Sequence, residues 1–170
     1  VSRNVKSLGV CLLHAYANPV HEQIIGRIAH EEFPHLFVTL SSEINPQFRE
    51  YERTSTTVIN AYMMPNMVSH LMEFEKQTTA EKMTPRLFIM QGNAGVMTFQ
   101  AAHKKPVHVA NSGPIAGIIA ANHLGKLTGL SNLITLDMGG TSCDVSIIQN
   151  NTLKFVMDSD VEGYPISVPT

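Results

Sequence analysis

Cysteine, charge and long apolar runs are all scarce in this 170-residue chain, and each shortage excludes something. Cys11 and Cys143 are the only cysteines, too few and too far apart for a disulfide framework or a metal-type spacing. Such usage makes a reducing cytoplasm the expected location. Charged residues make up 15% of the chain, the net charge is -2, and no basic run exceeds Lys104-Lys105. A nucleic-acid surface is therefore not expected. No segment approaches the roughly 20 consecutive apolar residues that span a bilayer, so no membrane partner is expected either. The eight histidines are scattered, without the i, i+4 pair that marks a zinc-binding helix. There are no internal repeats and no low-complexity tracts. The chain opens on Val1-Ser2-Arg3 with no initiator methionine and no signal-peptide pattern, and stops abruptly after Val168-Pro169. The expectation is an internal piece of a longer protein.

What is present is apolar content of 44%, enough for a folded domain with a real core. Leu8 to His14 reads as a buried strand. Asn18 and Pro19 then open a helix that carries Val20, Ile24, Ile25 and Ile28 on one face and ends near Phe33-Pro34. Leu36 to Leu40 is a second strand, so the first forty residues form a β-α-β unit with parallel strands. A helix is expected from about Phe48 to Met64, where Pro65 stops or kinks it. A further amphipathic stretch runs through Met67, Leu71, Met72 and Phe74, and Lys76 to Thr84 is the most linker-like segment. Arg86 to Met90 is a strand, Gly92 to Gly95 a turn, and Val107 to Ala110 a short strand. In the helix beginning near Pro114, Gly113, Gly117, Ala121 and Gly125 recur every four residues and form a stripe where another backbone can approach. The bland alternative is a tolerant surface helix.

The most informative stretch is Ile134 to Ile148. Two apolar, β-branched runs flank Gly-Gly-Thr-Ser and predict a hairpin. With Gly140-Thr141 as its two-residue loop, Asp137 and Asp144 fall opposite each other, and like charges facing across a strand pair repel. A cation or polarised water between them would relieve that. Gly139 and Gly140 let backbone N–H groups approach a phosphate, and Thr141 and Ser142 add hydroxyls. Acid, glycine turn, hydroxyl, acid suits Mg2+ and nucleotide phosphate. The alternative is an ordinary hairpin with solvated aspartates at its tip.

A close-packing helix leading into such a hairpin resembles the actin, sugar-kinase and Hsp70 superfamily of ATPases. Longer stretches resemble the A-type proteins of the hydantoinase/oxoprolinase family: Ser41 to Ile44, Arg49 to Tyr62, Ile89 to Asn93, Ser112 to Gly117, Asp137 to Asp144 and Glu162 to Pro165. The resemblance implies an α/β, actin-like (ribonuclease H-like) fold, represented in part by the end of the first lobe, the connecting helix and the second phosphate hairpin. It also implies a division into 1–48, the end of an N-terminal region, and 49–170, the start of a central domain. Family members use ATP to open cyclic amides such as hydantoins or 5-oxoproline by phosphorylating the amide oxygen, and relatives carboxylate acetone or acetophenone. The implied cofactors are ATP and Mg2+, the implied partners a B-type subunit or domain within an oligomer. Carried onto this chain, Asp137 and Asp144 would be catalytic and metal-binding, with Gly139, Gly140, Thr141 and Ser142 at the phosphates. Cys143 stands where the family more often has threonine, and Gly92-Asn93-Ala94-Gly95 replaces Ser-Asn-Gly-Gly. The family's first phosphate hairpin and adenosine segment are expected outside the chain, so the piece by itself should bind nucleotide poorly or not at all. The alternative to an enzyme component is a non-catalytic fragment of such a protein, acting if at all as an interaction module.

Other residues stay open between two readings. Arg49, Tyr51 and Arg53 fit either a ligand contact or a charged helix entry. The run Thr54-Ser55-Thr56-Thr57 points to hydroxyl contacts or a helix start. His14, at the carboxyl end of a strand, fits a ligand site or a structural role. Cys143 has no basic neighbour in sequence to activate it as a nucleophile. The nine methionines fit core filling.

Overall fold

The computed structural model describes residues 4–83, 86–140, 142–154, 159–161 and 163–168. A parallel pair begins the chain: β1 (Ser7–Val10) runs beside β2 (Phe37–Leu40), with Ser7 opposite Phe37 and Val10 opposite Leu40. Between them lies α1 (Val20–Glu32), so the β-α-β unit is present. β1 ends four residues before His14, shorter than the apolar run suggests, because the next backbone is claimed by side chains of two helices. The cap position of α1 falls on Pro19, one residue later than expected; Asn18 Oδ1 accepts from the Val20 N–H at 3.2 Å in the turn before it, and the buried face is not the isoleucine face. Glu22, Gly26 and Ala29 are buried, whereas Ile24, Ile25 and Ile28 are 37–50% exposed. Gly26 explains the choice: a Cβ there would come within 3.1 Å of Leu40, so the glycine brings α1 down onto β2.

After a single turn, α2 (Ser41–Ile44), comes α3 (Glu50–Ala80), a continuous helix of 31 residues. Pro65 does not stop it, and its last turns occupy much of the segment expected as a linker. One missing hydrogen bond at Pro65 is outweighed by burial on both sides of it, at Ala61 and Met64 and then at Leu71. α3 packs on β1, β2 and α2, and on the later segments Phe99–Lys104, Pro106–Val109 and Tyr164–Ile166. Three of the four hydroxyls near its start find partners as expected, while Ser55 Oγ is buried without one among the described residues. Thr56 and Thr57 donate to the carbonyls of Glu52 and Arg53 at 2.7 Å, and the Ser167 N–H donates to Thr56 Oγ1 at 3.0 Å.

The next stretch is a hairpin, β3 (Phe88–Met90) and β4 (Val96–Thr98), joined by the turn expected at 92–95. It leads to α4 (Phe99–Lys104) and a 3-10 turn at Pro106–Val109, where a strand was expected. Asn60 dictates that outcome. Fully buried on α3, its Oδ1 accepts from the Val107 N–H at 3.1 Å, and its Nδ2 donates to Thr39 Oγ1 at 3.1 Å and the Lys104 carbonyl at 3.3 Å. Two apolar clusters flank α3: Ile44, Val107, Ile166 and Val168 in one, Leu71, Phe99, Ala102 and Val109 in the other. α5 (Ser112–Thr128) closes on Gly129 in the left-handed region and is followed by the hairpin β5 (Leu133–Met138) and β6 (Cys143–Ile148). A last hairpin pairs β7 (Ser159–Val161) with β8 (Tyr164–Ile166). Among the described residues, no helix is long and apolar enough to cross a membrane.

Candidate functional site

The register of β5 and β6 places Asp137 directly opposite Asp144 and Met138 opposite Cys143. The Gly139 N–H donates to the Ser142 carbonyl at 2.9 Å and closes the hairpin, leaving a two-residue loop as the glycines implied. Alternation then gives the hairpin two unlike faces. Thr135, Asp137, Asp144 and Ser146, together with Ile134 and Leu136, line a cleft of about 450 Å³ against α5, whose contribution is Pro114, Gly117, Ile118 and Ala121. On the other face Ile134, Leu136, Met138, Val145 and Ile147 are each at least 60% exposed. The acids therefore lie on the face turned toward the helix.

The small-residue stripe of α5 divides by position. Gly117 faces the acids, and a Cβ there would sit 3.8 Å from Asp137 Oδ2. Ala121 lines the same cleft, so these two keep a space open and do not seat a packed neighbour. Gly125 is the true close approach: a Cβ there would lie 2.7 Å from both the Leu130 carbonyl and Leu133 Cδ1. Gly113 meets nothing.

At the loop, Ser142 Oγ donates to Asp144 Oδ2 at 3.4 Å, orienting that carboxylate. The Gly139 N–H is used by the hairpin itself, whereas Gly140 has open space where a side chain would be. Thr141 lies outside the described residues. No cluster of three or more histidine, cysteine or acidic residues that could hold a metal is found among the described residues. Two facing carboxylates nonetheless suit Mg2+, which usually takes one or two protein carboxylates and completes its shell with phosphate and water. Cys143 is exposed on the apolar side, away from the acids.

The remaining candidates are not at this hairpin. Arg53 is fully buried; its guanidinium donates to the Leu12 carbonyl at 3.0 Å and to the Gln47 carbonyl, and lies 5.4 Å from the Tyr16 ring centroid. Arg49 is half-exposed and pairs with Glu52 at 4.0 Å. His14 is exposed in a turn and has φ +58°. A fully buried carboxylate, Glu22, was not singled out by the sequence, because a glutamate in a first helical turn reads as an ordinary solvated residue. It accepts from the Leu12 N–H at 2.8 Å, Ser41 Oγ at 2.6 Å and the Ser42 N–H at 2.8 Å. Burial pushes its pKa up, but these hydrogen bonds more than offset that and hold it below the usual carboxylate value.

The hydantoinase/oxoprolinase family model matches residues 53–170, well over half of the chain. The chain belongs to the hydantoinase/oxoprolinase family. It is 34% identical to the alpha chain of the caprolactamase of Pseudomonas jessenii over 98% of its own length and 24% of that protein's. The crystal structure of the ATP-dependent caprolactamase from Pseudomonas jessenii superposes with a TM-score of 0.82 at 33% identity, covering 97% of this chain and 24% of that one. The nucleotide-free structure of acetone carboxylase, from work on ATP-dependent acetone carboxylation, superposes with a TM-score of 0.85 at 27% identity, covering 96% of this chain and 23% of the other. The α/β, partial actin-like fold expected from the sequence is thus the fold of this family segment. The chain spans about a quarter of the length of these hydantoinase/oxoprolinase relatives.

Proposed function

We propose that this chain supplies part of the nucleotide-phosphate site of an ATP-dependent enzyme that opens a cyclic amide. The observation that carries the reading is the facing pair Asp137 and Asp144, turned into a cleft that Gly117 keeps open. Two carboxylates held at hydrogen-bonded strand positions repel each other in the empty site. In this reading Asp137 and Asp144 hold Mg2+, Ser142 orients Asp144, and Gly139, Gly140 and Thr141 shape the loop over the phosphates. Bound Mg2+ would neutralise phosphate charge during transfer. The residues themselves position the γ-phosphoryl group toward the amide oxygen, and the negative charge that develops on it would be met by the cation the two carboxylates hold. Transfer breaks the bond to the β-phosphate, with ADP leaving, and makes the amide carbon a better electrophile toward water, whose attack opens the C–N bond and releases inorganic phosphate.

A caprolactamase relative, by its name, favours a cyclic amide as substrate. The structural match to acetone carboxylase favours a second reading, a component of an ATP-dependent ketone carboxylase that would use the same acids. Relatives named as subunits support a B-type partner protein or domain within an oligomer. We place the boundary between the N-terminal region and the central domain at residues 48 and 49, next to the start of α3 and of the family match. Two free cysteines fit the cytoplasm as location.

The test uses Asp137→Asn and Asp144→Asn in the full-length protein. Without nucleotide each variant should melt no lower than wild type, since repulsion is relieved. Amide-dependent ATP hydrolysis should fall by at least about a hundredfold. A variant that melts lower yet keeps its rate would make these aspartates structural turn residues and overturn the reading.

A further inference from the structure

At the carboxyl end of β1, two buried charges converge on a turn whose tip, Leu13 and His14, is exposed while Leu12 is half-buried and Ala15 buried. Glu22 on α1 and Arg53 on α3 are both fully buried, and both grip the backbone of Leu12. The carboxylate accepts from the Leu12 N–H at 2.8 Å, and the guanidinium donates to the Leu12 carbonyl at 3.0 Å. Through Ser41 and Ser42 the same carboxylate ties this turn to the residues that follow β2. Thr54 Oγ1 adds a hydrogen bond to Cys11 Sγ at 3.1 Å. Held in this way, the chain passes through His14 at φ +58°, in the left-handed region that histidine enters more readily than most residues with a Cβ but at a cost that glycine does not meet. His14 Nδ1 lies 3.4 Å from Tyr16 Oη, and Nε2 has no partner among the described residues.

The half-buried Leu12 backbone needs partners, but an exposed histidine at the tip of a strand-to-helix turn does not require two buried charges to hold it. Burying ionised groups is costly, and strained backbone persists only where its surroundings over-determine it, a pattern that marks functional turns. The turn also stands at the carboxyl edge of parallel strands, where open α/β sheets receive ligands.

We propose that His14 contacts the substrate, its Nε2 hydrogen-bonded to the ring amide of the cyclic amide, and that Glu22 and Arg53 are positioning residues for it. The inference rests on the amide-opening reading above. A small-ring amide presents its N–H and its carbonyl on one edge, and an imidazole nitrogen can accept from the first or donate to the second according to its tautomer.

The experiment is His14→Gly in the full-length protein, with ε-caprolactam and 5-oxoproline as amides. Glycine adopts the left-handed turn freely, so only the imidazole is lost. The melting temperature should stay within error of wild type and KM for ATP within about threefold, while kcat/KM for the amide falls by about tenfold or more. Added imidazole should restore part of the loss. Glu22→Gln should lower kcat/KM for the amide without any response to imidazole, because it displaces the turn and leaves the ring in place. If His14→Gly keeps kcat/KM within about threefold, or loses it with no response to imidazole, the assignment is overturned. A wild-type enzyme whose ATP hydrolysis ignores both amides overturns the amide-opening reading and this inference together. An amide-dependent wild type with an indifferent His14→Gly overturns only the latter.

Discussion

Glu22 is ionised inside the protein because three hydrogen bonds outweigh what burial does to it, and that balance has a sign in pH. Its folded pKa lies below the unfolded value of 4.5, so the unfolded chain takes up a proton first on acidification. The stabilisation is complete above pH 4.5 and drains away as pH falls through the folded pKa. His108 acts in the same direction from a higher starting point. Burial, and then the nearby charge of Lys105, hold its pKa below 6.5, so stability begins to decline as pH drops under that value. Chemical denaturation of the full-length protein between pH 7 and 3 should show both declines, with Glu22→Gln less stable at neutral pH and flatter below pH 4.5. A wild type equally stable at pH 7 and 4 would contradict this. Asp137 and Asp144 were legible from the sequence because their pairing depends only on a two-residue loop and a period of two. Glu22 and Arg53 were not. Local sequence presents each as a charge near a helix start, and only the packing of α1 and α3 onto the same turn reveals their burial.

Among the elements, α5 is where sequence and structure separate most usefully. Its four small residues look equivalent in sequence, yet they do three different things. At Gly125 a methyl group would meet a backbone carbonyl that cannot move aside. Gly125→Ala should therefore destabilise the full-length protein by about 1–3 kcal/mol, read as a lower melting temperature. Gly117→Leu should leave the melting temperature near wild type while its side chain fills the cleft beside Asp137, so that ATP hydrolysis falls. A Gly117→Leu variant with full activity would show that the cleft does not admit the nucleotide. Other differences at this scale have the same origin in long-range contact. The isoleucines of α1 have helical spacing, but Gly26 permits a closer approach to β2 than they do. Pro65 reads as a break because propensity is local, while the burial that overrides it comes from elements more than twenty residues away. Val107 is apolar and β-branched, but Asn60 takes its N–H and holds it in a 3-10 turn.

Over the whole molecule, the hairpin's second face dominates. Ile134, Leu136, Met138, Val145 and Ile147 form an open apolar surface on a sheet of two strands, and two strands alone are marginal in water. Since the chain spans about a quarter of its relatives' length, the 170-residue piece purified alone is expected to show no ATP turnover above a buffer blank. Measurable turnover by the piece would mean that this partial site is sufficient. The hairpin carries one more consequence, which concerns the reading frame of the loop and not its chemistry. Asp137 and Asp144 share the cleft face only because the chain reverses after an even count of loop residues. Adding or removing one residue between them would turn one strand over, sending one acid to the apolar side and an apolar side chain into the cleft. Substitutions at Gly140 adjust this site; a change of loop length by one would dismantle it.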